Sequence, residues 1–508
     1  MKRPEVREWA VAGTSRLRSL RRPPAALAVV VLLTGGVTAA TVTQPKPRPV
    51  LGPGPQRTAP VVGSIAVCPD VVTTTAVGTR VTGGTGEPGA VQVTATALSA
   101  GAAPVTLAET GARVGRLDAG TAGGSAVVTT ATGPQAGGLA VEQVSRAESG
   151  QQFGLSSVRC DPAVADSWYV GAATTITDRS ELFLVNPYDD IATVDVTLYT
   201  RKGRLDVPGT SGVAVRPRSR TVKKLADWAP DETWVAVHVV VRSGRVSPAV
   251  RRTRSVSSVP SGVDWVPRSS PAVTTTVGAL PGGDGVRSLL VVNPGLDTLT
   301  AHITLIRRDG RFVPIDLADV DVEGEHLLAV DLTDKLGGQS AMVEIETDGA
   351  VALAGAYAEY AGSSPGSPSD FVNAGATPVL SGDALLTDNR VGPTVDTALM
   401  FSAPQGDAEV TLREVTTGGA VGRTSVVPVR QGQLVVVALS RAFGRADPLP
   451  LLVSTSANSA GVYGTRVIID KTKRGTLVTE LSIQSQPLAG VPVPRVTHDP
   501  AGWLLTKP

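Results

Sequence analysis

The sequence predicts an all-β chain of tandem Ig-like β-sandwich modules behind one N-terminal transmembrane helix. Three observations carry this. First, Glu181-Leu182-Phe183-Leu184-Val185-Asn186-Pro187 returns as Ser288-Leu289-Leu290-Val291-Val292-Asn293-Pro294, 107 residues later (181 to 288). A fixed period of that length marks an array of similar modules. Second, short runs rich in Val, Thr, Leu and Ile are broken by Gly, Pro, Asp and Ser, with no convincing amphipathic helix among them; this is the pattern of strands and turns. Third, an apolar stretch follows a basic one at the start of the chain.

Residues 1–24 hold seven basic and two acidic groups. Residues 25–42 are uncharged and mostly apolar, with Leu27, Val29, Val30, Val31, Leu32 and Leu33 at their centre. As a helix they span about 27 Å, near the lower limit for a bilayer. The positive flank comes first, so the N-terminus is expected to stay cytoplasmic and the rest to be exported. Thr38-Ala39-Ala40 offers a rival signal-peptidase site. A retained anchor is favoured, because the apolar run is long and the cleavage site unremarkable. Residues 43–63 are proline-punctuated and read as an extended spacer.

Beyond the spacer four modules are expected, at 64–160, 161–260, 261–374 and 375–490, with a C-terminal tail at 491–508. After each Asn-Pro comes a strand-like run, Val194–Leu198 and then Ala301–Leu305. Arg220–Leu225, His326–Leu332 and Leu434–Leu439 form a further equivalent set. Next, a hairpin is expected from Trp234–Val241 through Ser243-Gly244 to Val246–Arg251. Its equivalents are Met342–Glu346 through Asp348-Gly349 to Val351–Tyr357, then Leu451–Ser454 to Gly461–Val467. Asp-Gly between strand-like runs is a strong hairpin signal. The last module weakens the motif to Ala398–Pro404, with Ala403 in place of Asn. The first is degenerate, although Val71–Gly78 resembles Ala272–Gly278. A module of about a hundred residues is the size of one sandwich. The alternative is a β-propeller of about eight blades of roughly 50 residues; the absence of a half-period echo weighs against it.

Leu182–Pro187, Pro217–Val222 and the Trp168 lead-in resemble the secreted or membrane-anchored actinobacterial family of unknown function built from repeated "L-x-N-P … A-x-V" β-modules. That resemblance, spread over most of 64–490, implies an envelope location and transfers no functional residue. Ala403 shows that the Asn is dispensable in one copy, which fits a turn-forming role.

The chain carries +2 overall, but the positive charge sits at the start, and residues 64–508 carry a net −6 by count. That argues against a nucleic-acid partner, which calls for a basic footprint. Cys68 and Cys160 are expected to form one disulfide in an oxidising exterior. Gly84–Gly89 matches G-x-G-x-x-G but lacks the strand-to-helix context, and Gly362–Gly366 matches G-x-S-x-G within a Ser/Gly/Pro linker. Asp319, Asp321 and Glu323 alternate like the start of a calcium loop, yet the twelfth position is Val330 rather than Glu. They are kept as the calcium candidate. His238, His302, His326 and His498 are scattered, with His302 on a polar strand face.

Residues 161–260 carry a net +3 and residues 261–374 a net −10. Such neighbours are suited to dock, or to present a basic face around Arg216, Arg218, Arg220, Lys223 and Lys224 to anionic wall polymer; ordinary solubility charge is the simpler account. No catalytic residue, cofactor or metal is assigned. The expectation is a non-catalytic, membrane-anchored scaffold or binding protein of the bacterial envelope, whose partner is an envelope protein or cell-wall polymer. The alternatives are an exported enzyme acting on cell-wall glycans and a calcium-stabilised adhesin-like stalk.

Overall fold

Burial follows the strand pattern residue by residue. In Ala192–Thr200, Ala192, Val194, Val196 and Leu198 are buried while Thr193, Asp195 and Thr197 are half-buried. Leu299–Arg307 repeats this with Leu299, Ala301, Ile303 and Leu305. A period of two is what a sheet with one packed face requires. The Asn-Pro segments differ: Leu182 to Asn186 and Arg287–Val292 are buried at every position. A continuous apolar run marks a strand covered on both faces. Here one cover comes from the same module and the other from its neighbour.

The computed structural model describes residues 58–70, 75–79, 92–98, 104–108, 114–117, 126–133, 136–362, 369–416, 421–444, 449–456, 459–486 and 491–492. The basic segment 1–24, the apolar stretch 25–42, most of the spacer, Gly84–Gly89, residues 363–366, His498 and most of the tail lie outside the described residues. Among the described residues, no helix is long and apolar enough to cross a membrane.

Apart from the short pair Thr58–Ala59 with Val491–Pro492, the described strands form four modules of two sheets each. In the second module the strands run Asp166–Ala172, Asp178–Asn186, Ala192–Thr200, Gly203–Leu205, Ser219–Lys224, Val235–Ser243, Ser247–Val256 and Val259–Val266. Numbered in that order, they lie as 1-6-3-4 in one sheet and 5-2-7-8 in the other, all pairs antiparallel. The same two orders recur from Gly63–Cys68 to Gly154–Arg159, from Thr274–Leu280 to Asp370–Gly375 and from Ala384–Leu386 to Gly475–Ser482. The expected equivalence of Arg220–Leu225, His326–Leu332 and Leu434–Leu439 holds: all three supply the fifth strand, paired with the second.

Three expectations need correction. The hairpins across Ser243-Gly244 and Asp348-Gly349 do not form. Val235–Ser243 and Ser247–Val256 lie in different sheets, as do Ala341–Thr347 and Leu353–Tyr360, and Leu451–Thr455 and Tyr463–Thr472. The glycine turns instead carry the chain from one sheet to the facing one, and the order 1-6-3-4 over 5-2-7-8 differs from the immunoglobulin order of ABED over CFG. The true hairpin joins strands seven and eight. In the second module it turns through Ser257 and Ser258, both at positive φ (48° and 66°), the twist a two-residue hairpin favours. The eighth strands therefore cross the expected boundaries at 260 and 374. Finally, Thr75–Thr79 is a second strand whereas Thr274–Leu280 is a first strand, so their resemblance reflects shared strand chemistry rather than equivalent places.

The modules close into a ring. The 1-6-3-4 sheet of each packs on the 5-2-7-8 sheet of the next. Ile65 and Val67 meet Val185; Trp168 and Val170 meet Leu290, Val292 and Leu353; Val277 shares a core with Met400 and Val467. Leu385 and Leu452 then meet Ala140 of the first module. The four eighth strands pack in a cycle about the axis, each against the next and the fourth against the first. Sheets thus succeed one another around an axis as in a propeller, but each module weaves its strands between two sheets. That weave explains why no half-period echo exists in the sequence.

Charged groups stitch the junctions. Between the first and second modules, Asp70 accepts from Arg220 (2.6 Å) and Arg251 (2.7 Å). Between the second and third, Arg204 pairs with Glu325 (3.0 Å) and Arg254 with Glu359 (3.4 Å). There the Arg252 guanidinium lies 4.6 Å and 5.4 Å from the Tyr357 and Phe371 ring centroids. Between the fourth and first, Arg466 donates to Glu142 at 2.7 Å, both almost fully buried, and Arg146 pairs with Asp470. Within the first module the Cys68–Cys160 disulfide joins residues 92 apart, a constraint worth about 4–5 kcal/mol in the chain-entropy account.

The repeated Asn is a loop clamp. Asn186 Nδ2 donates to the Asp190 (2.7 Å) and Val215 (3.2 Å) carbonyls while its Oδ1 accepts from Tyr188 N–H. Asn293 does the same with Asp297, Val322 and Gly295. Where Ala403 replaces it, Gln431 N–H donates to the Asp407 carboxylate and Gly432 N–H to the Ala403 carbonyl.

Asn293→Ala strands two carbonyls and one N–H, so a loss of about 2–4 kcal/mol is expected in chemical denaturation; a loss below 0.5 kcal/mol would refute the clamp. Glu142→Ala leaves a buried guanidinium unpaired and is expected to lose about 3–5 kcal/mol, with Glu142→Leu/Arg466→Met recovering most of it. An unchanged midpoint for the single variant would show that this junction does not hold the ring closed.

Candidate functional site

The eighth strands end together at one end of the axis, at Arg159, Val266, Gly375 and Ser482. The segments leaving them build a mouth. A small cavity of about 60 Å³ lies where Arg159, Asp161, Trp265, Arg268 and Gln484 converge. A larger cleft of about 400 Å³ opens beside it between the second, third and fourth modules. Arg268 and Gln484 line both.

The Asp161 carboxylate sits between Arg159 (3.4 Å) and Arg268 (3.5 Å). Tyr169 is buried and donates its O–H to the Pro248 carbonyl at 2.6 Å; burial pushes its phenol above the usual range, so it stays a neutral donor. In the cleft, Thr377 and Ser482 hydroxyls bond each other at 2.9 Å. Thr275 and Thr276 are buried, and their hydroxyls have no partner. Tyr463 and Gln484 stand half-buried at its edge.

Beneath the mouth the axis is polar. Ser157 Oγ and Thr479 Oγ1 lie 2.8 Å apart. Thr479 donates to Asp264 Oδ1 (3.2 Å), and Asn373 N–H donates to Asp264 Oδ2 (2.9 Å). One chain of bonds thus links all four modules. Asp370 accepts from Leu155 N–H (3.1 Å) and Val478 N–H (2.9 Å). Gly262, at φ +114°, makes room for it, since a Cβ there would lie 2.6 Å from Asp370 Oδ1. Burial raises both carboxyls well above the ordinary range, and their mutual repulsion adds to the shift of Asp264. Glu480, buried with both oxygens unpartnered, is raised by the same desolvation against the opposing pull of Arg466. In each case desolvation outweighs the hydrogen bonds or cation that favour the charged form.

The sequence candidates lie elsewhere. Asp319, Asp321 and Glu323 point outward from the short strand Val320–Val322, each to a different partner. Asp319 reaches His302 Nδ1 (2.9 Å), Asp321 accepts from Thr300 (2.9 Å) and Glu323 stands 3.6 Å from His326. Among the described residues no group of three His, Cys, Asp or Glu is placed to hold a metal ion. His302 is not a bare surface residue: its bond to the Ala318 carbonyl, with Asp348 and Asp319 alongside, raises its pKa. Of the basic face, Arg218 is held by Asp189 (2.8 Å) and Arg220 by Asp70. Cys68 and Cys160 are joined as expected. Asp264, Asp370 and Glu480 went unread, although each is a lone carboxyl in a largely apolar strand, the only signal available for them.

Fold and site together define an all-β, disulfide-stapled ring with a cleft of mixed polar and apolar lining at one end of its axis. The chain belongs to a family of unknown function (DUF5719), which its residues 117–440 match. No curated protein matches it. Among solved structures it is similar to the crystal structure of a GH78 family rhamnosidase of Bacillus sp. GL1 at 10% identity, over 61% of this chain and 55% of that one. The TM-score of 0.11 gives that likeness no weight.

Burial raises Asp264 and Asp370 in the fold above their unfolded range of about pH 4, so their stabilisation is complete below that pH. It is lost as pH rises through their raised folded values. Wild-type melting temperature is therefore expected to fall between pH 5 and 8 more steeply than that of Asp264→Asn/Asp370→Asn, measured by calorimetry. Parallel profiles would refute the raised axial acids.

Proposed function

We propose that the protein is a non-catalytic, membrane-anchored extracytoplasmic binding scaffold of the bacterial cell envelope. The observation that carries the reading is the mouth: residues of the second, third and fourth modules converge there on a cleft that no single module forms alone. Its walls present hydroxyls, an amide and one compensated guanidinium, the equipment of a recognition surface. The basic segment 1–24 and apolar stretch 25–42 supply the anchor in this reading, and the disulfide suits an oxidising compartment. The junction ion pairs and apolar contacts stiffen the frame around the cleft, which lowers the entropic penalty of binding.

Crosslinking of the intact protein in its native membrane, followed by affinity capture and mass spectrometry, tests this. Recurrent recovery of one envelope protein or polymer-synthesis complex is expected. A hydrolytic activity abolished by mutating an acidic cluster would overturn the non-catalytic assignment.

A further inference from the structure

We infer that the protein self-associates through the outer edge of its fourth module, where strand Val421–Val429 pairs antiparallel with the same strand of a second copy. The edge is peculiar to this module. In the second and third modules the fourth strand has three residues, and a separate three-residue strand, Val213–Val215 or Val320–Val322, covers the rest of its neighbour. In the fourth module one strand of nine residues runs along Ala408–Val415, its sole neighbour among the described strands. Val421 and Val426 stand exposed on it, and residues 424–429 carry no charge. Such an edge is a template for another strand.

The bonds of Glu409 identify the free backbone groups. Its N–H donates to Ser459 Oγ (3.0 Å) and its carbonyl accepts from Ser456 N–H (3.3 Å), both on the side away from Val421–Val429. Pro428, opposite Glu409, therefore sits in a pair without hydrogen bonds, which suits a residue lacking an N–H. Bonding alternates along an antiparallel ladder, so Thr424 and Val426 also turn their N–H and C=O groups outward.

This edge is complementary to itself. With Val426 opposite its own copy, the two residues exchange both backbone bonds. The Thr424 N–H of each copy then reaches the Pro428 carbonyl of the other. All four outward N–H groups gain acceptors, and only the Thr424 carbonyls lack a donor. The Val426 side chains meet on one face. No like charges oppose each other: Arg423 faces Val429 and already holds Glu414 at 3.0 Å. Two four-stranded sheets become one about a two-fold axis, a closed contact.

The test is sedimentation velocity of the full chain in detergent over a range of concentrations. A reversible monomer–dimer equilibrium is expected. Val426→Pro removes an outward N–H and spares the internal ladder. Its melting temperature is expected to hold while dimer affinity falls at least about tenfold, two bonds being lost per dimer. Val426→Cys adds the one free thiol, because Cys68 and Cys160 are joined. Opposed residues of a bonded pair lie about 5.5 Å apart, within disulfide reach, so mild oxidation is expected to give a covalent dimer. Ile176→Cys, at a fully exposed position elsewhere, is the control. A monomer at every concentration would overturn the inference, as would undiminished association of the Val426→Pro protein or equal crosslinking of the Ile176→Cys protein.

Discussion

Closure of the axis by the four eighth strands is the constraint on which the other features rest. Each strand contributes to a bond network that no module completes alone. Asp264 of the second module is held from the third and fourth, and Asp370 of the third from the first and fourth. Deep burial penalises the charged form of both carboxyls and raises them above the ordinary range, while the N–H and hydroxyl bonds they accept oppose that shift. Each carboxyl accepts bonds from strands of two other modules and so bridges them. The apolar alternative, four valines in a ring, would pack without fixing which strand meets which.

Radial packing follows from that closure. Each 5-2-7-8 sheet is sandwiched between its own module and the preceding one, which is why its second strand has no solvent face. The 1-6-3-4 sheets reach further out and carry the short edge strands Gly203–Leu205 and Gly310–Phe312. The fourth module departs from this with the long, largely exposed strand Val421–Val429. Opposite charge on the second and third modules is partly consumed at their junction, where Arg204 and Arg254 meet glutamates.

The β class, the modular repeat and the disulfide were legible because they are written in local pattern: alternation, a period near 107, and a lone cysteine pair. The role of Asn186 was legible too, since Asn before Pro at a strand end points to a turn. What local pattern could not reveal was which sheet each strand joins. Ser243-Gly244 and Asp348-Gly349 look the same whether the chain folds back beside itself or crosses to the facing sheet. The choice is made by the seventh strand's contact with the second, more than sixty residues earlier in sequence (Leu182 with Val250). The site was hidden for the same reason. Thr275, Tyr463 and Gln484 are unremarkable until the packing of successive modules brings them to one cleft.

The Arg466–Glu142 pair has a temporal consequence. Its partners are 324 residues apart. At synthesis rates of about 5–20 residues per second, roughly 16–65 s separate their emergence. Throughout that interval the first module waits with Glu142 unpaired and with the apolar face around Ala140 uncovered. A nascent chain that exposes such a surface for so long needs shielding until its last module arrives. Export as a completed, unfolded chain would remove the delay, because all four modules would then reach the far side within one folding event.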